Sequence, residues 1–71
     1  MQQEVFIAHG SDYDPQKALD LAVGGVREAA NEQLAGRYYR IESIDHSTVT
    51  LVGRRGKLML LVTATMLVEY Q

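Results

Sequence analysis

The chain has no cysteine and no tryptophan, and only one proline, one phenylalanine and two histidines. Without cysteine there is no disulfide and no thiolate metal site, and nothing hints at secretion. His9 and His46 are too few for structural zinc. Charge of neither sign dominates: seven Lys and Arg against nine Asp and Glu leave a net charge of −2. That balance gives no general attraction to nucleic acid or to anionic lipid, so neither is an expected partner. The opening Met1-Gln2-Gln3-Glu4 lacks the basic segment of a signal peptide. The apolar stretch Leu58–Val68 is too short for a membrane helix and is interrupted by threonines. A soluble, cytoplasmic protein is the expectation.

What the chain does have is 46% apolar residues in 71 positions, enough for one domain spanning residues 1–71. A core of that size is marginal when it folds alone. With disulfides and zinc removed, association with further copies is the expected source of added stability. The final stretch supports this. Leu58 to Tyr70 reads as one strand with Leu58, Leu60, Val62, Ala64, Met66, Val68 and Tyr70 on one face. The other face carries Met59, Leu61, Thr63, Thr65, Leu67 and Glu69. At about 3.3 Å per residue it reaches roughly 40 Å, about twice the usual strand length.

The segments before it are shorter. Val5–Ala8 is an apolar run of strand character, followed by a turn-rich stretch from His9 to Asp14. Asp14-Pro15 suits N-cap and first helical position, since the carboxylate accepts from free amides and proline has no amide to leave unbonded. From Pro15 to about Ala35 the spacing is helical, with Leu19, Ala22, Val23, Val26, Ala30, Gln33 and Leu34 on one face. Ala18, Gly25 and Ala29 form a smooth strip beside it, suited to close packing on a sheet or to contact with a neighbouring subunit. Gly36 stands where a glycine would stop the helix. Tyr38–Ile44 and Thr48–Val52 are β-rich, but Ile41 and Ile44 are out of phase for one ideal strand. Asp45-His46-Ser47 therefore marks either a bulge in one long strand or a turn between two short ones. Gly53-Arg54-Arg55-Gly56 reads as a hairpin connection.

The expected fold is α+β, in the order β-α-β-β: a single-layer antiparallel sheet of three strands, or four if residues 38–52 form a hairpin, packed on one helix. One helix covers one side of such a sheet, so the other side is expected to be buried by self-association, with Met59, Leu61 and Leu67 at the interface.

Reactive groups are sparse. Ser11 lies near His9 and Asp12, but sequence neighbours do not make a triad, and no nucleophile–base pair stands out; an enzyme is not expected. His9, Asp12 and Asp14 read either as cation ligands in one loop or as helix-capping carboxylates beside a solvated histidine. Asp45 and His46 read as a turn pair or an acid–base couple. Arg54 and Arg55, with Lys57 nearby, could hold a phosphate at the hairpin tip or be solvated. Tyr38 and Tyr39 alternate, so one ring should point to the helix and the other away, where it could stack on a planar ligand or pack on another subunit.

The layout resembles the dodecins, small flavin-storing proteins with a short strand, one helix and two long antiparallel strands, assembled as a hollow dodecamer. Asp14-Pro15, the pair Tyr38-Tyr39, the spacing between Pro15 and Tyr38, and Leu61-Val62-Thr63 carry the resemblance, which spans roughly Val5 to Tyr70. It implies a homo-oligomer that stores a flavin or other planar molecule between subunits, with Tyr38 where the family's stacking tryptophan stands. Leu61 takes the place of the family's flavin-binding glutamine, while Thr63 or Arg54 and Arg55 would supply polar contacts. The alternative is an assembly or protein-interaction module without a small ligand.

Overall fold

The computed structural model describes residues 2–71. Among them the chain runs β1 (Gln2–Asp12), α1 (Pro15–Gln33), β2 (Tyr39–Val52), a short 3-10 turn (Arg54–Gly56) and β3 (Leu58–Tyr70). The strands form one antiparallel sheet in the order β1-β3-β2. The strand that is apolar on both faces is therefore the central one, where both edges are paired and both faces can be covered. The fold is α+β, one helix on a three-stranded antiparallel sheet.

Two expectations about the strands are corrected. β1 does not end at Ala8: it continues to Asp12, in unbroken register with β3 from Gln2 opposite Tyr70 to Asp12 opposite Leu60. The turn-forming residues His9, Gly10 and Ser11 are held extended by that pairing, because tertiary ladder bonds override weak local preference. β2 is a single strand, so the four-stranded alternative falls away. Its irregularity lies between Ile41 and Ser43, not at Asp45-His46-Ser47. The extra residue, Glu42, lets both Ile41 and Ile44 face the helix, opposite Val68 and Met66 respectively.

Helix α1 begins as its sequence predicts. The Asp14 carboxylate accepts from the Gln16 amide at 2.9 Å, and Pro15 takes the first helical position. The helix ends at Gln33, two residues before the expected limit. The Leu34 amide still donates to the Ala30 carbonyl at 2.8 Å, and Gly36 takes φ +78° in the turn that follows.

The buried face of α1 is centred on Ala18, Ala22, Val26, Ala30 and Leu34, rotated towards the small-residue strip relative to the expected face; Gln33 is exposed. Small residues win because the helix lies very close to β1. A Cβ on Gly10 would stand 2.4 Å from the Ala18 carbonyl oxygen, and one on Gly25 would stand 2.8 Å from the Ala8 Cβ. The strip is thus a helix-on-sheet contact. Beneath it Phe6, Val62, Ala64, Met66 and Val68 complete the core, each 4% exposed or less. At about 25 cal/mol per Å², a core this rich in alanine yields little per side chain, so closeness of fit carries more of the stability than bulk.

The helix lies over β1 and β3, leaving β2 largely beyond its cover. On the side away from the helix, Val5 and Ile7 of β1 and Val49 and Leu51 of β2 are 42–61% exposed. Among the described residues no helix is long and apolar enough to cross a membrane.

Candidate functional site

The bulge at Glu42 decides what becomes of the tyrosine pair. An unbroken ladder continued from the hairpin would turn Tyr38 towards the helix and Tyr39 away from it. One extra residue reverses this: Tyr39 lies opposite Tyr70 and packs on the core, while Tyr38 stands just before β2 with 86% of its surface exposed. Tyr39 is further anchored by its hydroxyl, which donates to the Asn31 side chain of the helix. Among the described residues Tyr38 makes no side-chain hydrogen bond, and its carbonyl accepts from the Gln71 amide at 3.3 Å. One ring is fixed and the other is free to meet a ligand.

Around these rings is a shallow notch of about 170 Å³, lined by Tyr38, Tyr39, Arg40, Glu69, Tyr70 and Gln71. The Arg37 guanidinium lies over the Tyr70 ring, 5.4 Å from its centroid, a cation–π contact that steadies the helix-side wall. Arg40 bonds Glu42 at 2.5 Å and Glu69 at 2.8 Å. The hydrogen bond and charge of Glu42, then those of Glu69, hold the Arg40 guanidinium even more firmly protonated than usual. The Glu69 carboxyl is held below its ordinary range, first by the hydrogen bond from Gln3 and then by Arg40, against an opposing effect of burial. With both its nearest carboxylates engaged, the notch offers π-faces and a neutralised rim, suited to a flat, weakly charged molecule.

The remaining candidate residues do not join this notch within one chain. Arg54 and Arg55 sit in the hairpin turn at the far end of a molecule 48 Å long. Both are exposed, with Arg55 at φ 59°. Leu61 and Thr63 lie on the open face of β3, roughly 30 and 23 Å along the strand from Tyr70. Leu61 stands between Ser11 and Val49, and Thr63 between His9 and Ser47. Tyr38, Leu61 and the arginines can touch a common ligand only if different copies supply them. Met59, Leu61 and Leu67 share the open face and are half-buried.

The loop picture of His9, Asp12 and Asp14 is overturned. His9 belongs to β1, where its Nδ1 is 2.9 Å from the Thr63 hydroxyl. Asp12 accepts from the Asp14 amide, and Asp14 caps the helix. Among the described residues no group of three His, Asp or Glu side chains gathers to hold a metal ion. Asp45 and His46 point to opposite faces of β2, as strand neighbours must, and do not form an acid–base couple. His46 instead borders a shallow groove with Pro15, Gln16 and Leu19. Sequence reasoning missed Arg40, Glu69, Tyr70 and Gln71 at the notch. Counting pairs back from the hairpin would have brought Tyr70 within one residue of its true partner.

The fold and notch define a small α+β protein with an aromatic surface recess at one end of its sheet. No family model, curated protein or solved structure matches this chain.

Proposed function

We propose that the protein is a non-enzymatic, self-assembling binding protein of dodecin-like build, which holds a planar aromatic molecule such as a flavin against Tyr38 at a junction between copies. The observation that carries this reading is the pairing of an 86% exposed tyrosine ring with a recess of only about 170 Å³. Pockets that enclose a cofactor-sized ligand span about 300–1,000 Å³. The recess is therefore one wall of a site, and a neighbouring subunit supplies the other. Stacking needs no hydrogen-bond donor on β3, so Leu61 in place of a glutamine lowers specificity for the flavin edge without removing the platform.

The test is titration of riboflavin and flavin mononucleotide into the purified protein, read by flavin fluorescence quenching, together with solution mass. Saturable quenching that Tyr38→Ala weakens tenfold or more, at unchanged mass, supports the reading. Absence of quenching and of any thermal shift overturns the flavin assignment. The second reading, an assembly module without a small ligand, is favoured by one specific observation: the apolar residues of the open face lie on the other side of the sheet from Tyr39 and Tyr70. It is supported if an oligomer forms and no ring compound binds.

A further inference from the structure

The side chains of the open face are not scattered. On β1 the apolar residues Val5 and Ile7 lie opposite Leu67 and Thr65 of the centre strand. On β2 the apolar residues Val49 and Leu51 lie opposite Leu61 and Met59, towards the other end. Joined through β3, they form a diagonal band that crosses the sheet from one edge to the other. Each corner left over is polar. The β1 corner holds His9 and Ser11, and the β2 corner holds Ser43, Asp45 and Ser47.

A two-fold axis laid along that band brings the band of one copy onto the band of the next and places each β1 corner over the partner's β2 corner. Every contact is then self-complementary, as a closed dimer requires. In the tautomer that accepts from the Thr63 hydroxyl at Nδ1, the imidazole of His9 carries its N–H on Nε2. Neither that donor nor the Asp45 carboxylate makes a hydrogen bond or ion pair among the described residues, and both belong to the open face. Donor and acceptor lie on opposite sides of the axis.

We infer that the open face packs on the same face of a second copy about a two-fold axis along this apolar diagonal, with His9 of each copy hydrogen-bonded to Asp45 of the other. A two-fold along the band makes the strands of the two copies cross at roughly 50°, so ribbons about 14 Å wide overlap over on the order of 260 Å² per copy. That is below the about 1,000–1,200 Å² of stable protein–protein interfaces, so the pairing is weak and shows in the concentration dependence of association. The inference rests on the self-assembly in the reading above and adds its geometry; it does not depend on any ligand.

Sedimentation equilibrium from 1 to 200 µM, with the whole chain, tests it. The wild type should associate in even multiples of its 7.9 kDa chain. Ile7→Glu should weaken association at least tenfold while circular dichroism keeps a cooperative thermal transition, because Ile7 is 61% exposed in the single chain. His9→Asp sets carboxylate against carboxylate and should also weaken it about tenfold. The double variant His9→Asp with Asp45→His restores the pair with its ends exchanged and should return association to within about threefold of wild type. A wild-type monomer throughout the range, or association indifferent to Ile7→Glu, overturns the inference. Failure of the double variant to recover overturns the His9–Asp45 register. A chain that pairs this way but quenches no flavin keeps this inference and loses the ligand reading; a flavin-binding oligomer insensitive to Ile7→Glu does the reverse.

Discussion

The two faces of β3 are built on different principles. Towards the helix, Val62, Ala64, Met66 and Val68 are 3% exposed or less, and beside them Ala8 and Gly10 of β1 meet the helix at distances that leave no room for larger groups. Away from it, Thr63 and Thr65 separate Leu61 from Leu67, and all four remain half-buried. The covered face is specified by size, the open face by pattern. A size-specified contact answers to single methyl groups, whereas a patterned one answers to charge and to the presence of a partner.

The sharpest way to break this comparison uses neighbours on opposite faces. Met66→Ala should cost about 2–5 kcal/mol in denaturant unfolding, as for a large buried side chain whose site cannot collapse. Leu67→Ala should cost less in dilute protein, and its cost should rise with protein concentration because it acts through association. Equal, concentration-independent losses would erase the distinction between the faces. Next in size is Gly10→Ala, at about 1–3 kcal/mol, because its Cβ would press on helix backbone that cannot move aside.

The adjacent glycines of α1 sharpen the same point with opposite signs. Nothing lies within 4 Å of a Cβ placed on Gly24, so Gly24→Ala should stabilise by up to about 1 kcal/mol in thermal or denaturant unfolding. Gly25→Ala meets Ala8 and should lose that gain or reverse it. The smallest effect belongs to the charged end of the open face. A carboxyl whose folded-state pKa is depressed contributes stability above its ordinary value and loses it as pH falls through the lowered one. Glu69 is such a group, so the thermal midpoints of wild type and Glu69→Gln should differ slightly at pH 7 and converge well below pH 4.

Much of the covered face was legible from the chain. Alternation in Leu58–Tyr70, the Asp14-Pro15 helix start and the glycine-bounded hairpin are local signals, and each produced the element it implies. The length of β1 and the rotation of the helix were not local. They follow from β1 lying beside β3 and pressing Gly10 against the helix, a contact between segments that periodicity treats separately. For the candidate site, the aromatic pair was visible but its polarity was not. Which tyrosine is anchored turns on the single unpaired residue Glu42, whose place in the ladder depends on the register with β3. Leu61, Thr63, Arg54 and Arg55 were grouped through a resemblance, and one copy of the fold spreads them along its whole length.

The order β1-β3-β2 also dictates a timetable. As a ribosome extends the chain, β1 and β2 emerge first, and neither is the other's neighbour. Each waits for the strand between them, and the pairing that joins Gln2 to Tyr70 closes nearly the whole chain into one loop. Contacts so distant in sequence make folding slow and leave strand edges open meanwhile. The sheet assembles only once β3 has been made, so for that interval β1 and β2 have no strand to pair with.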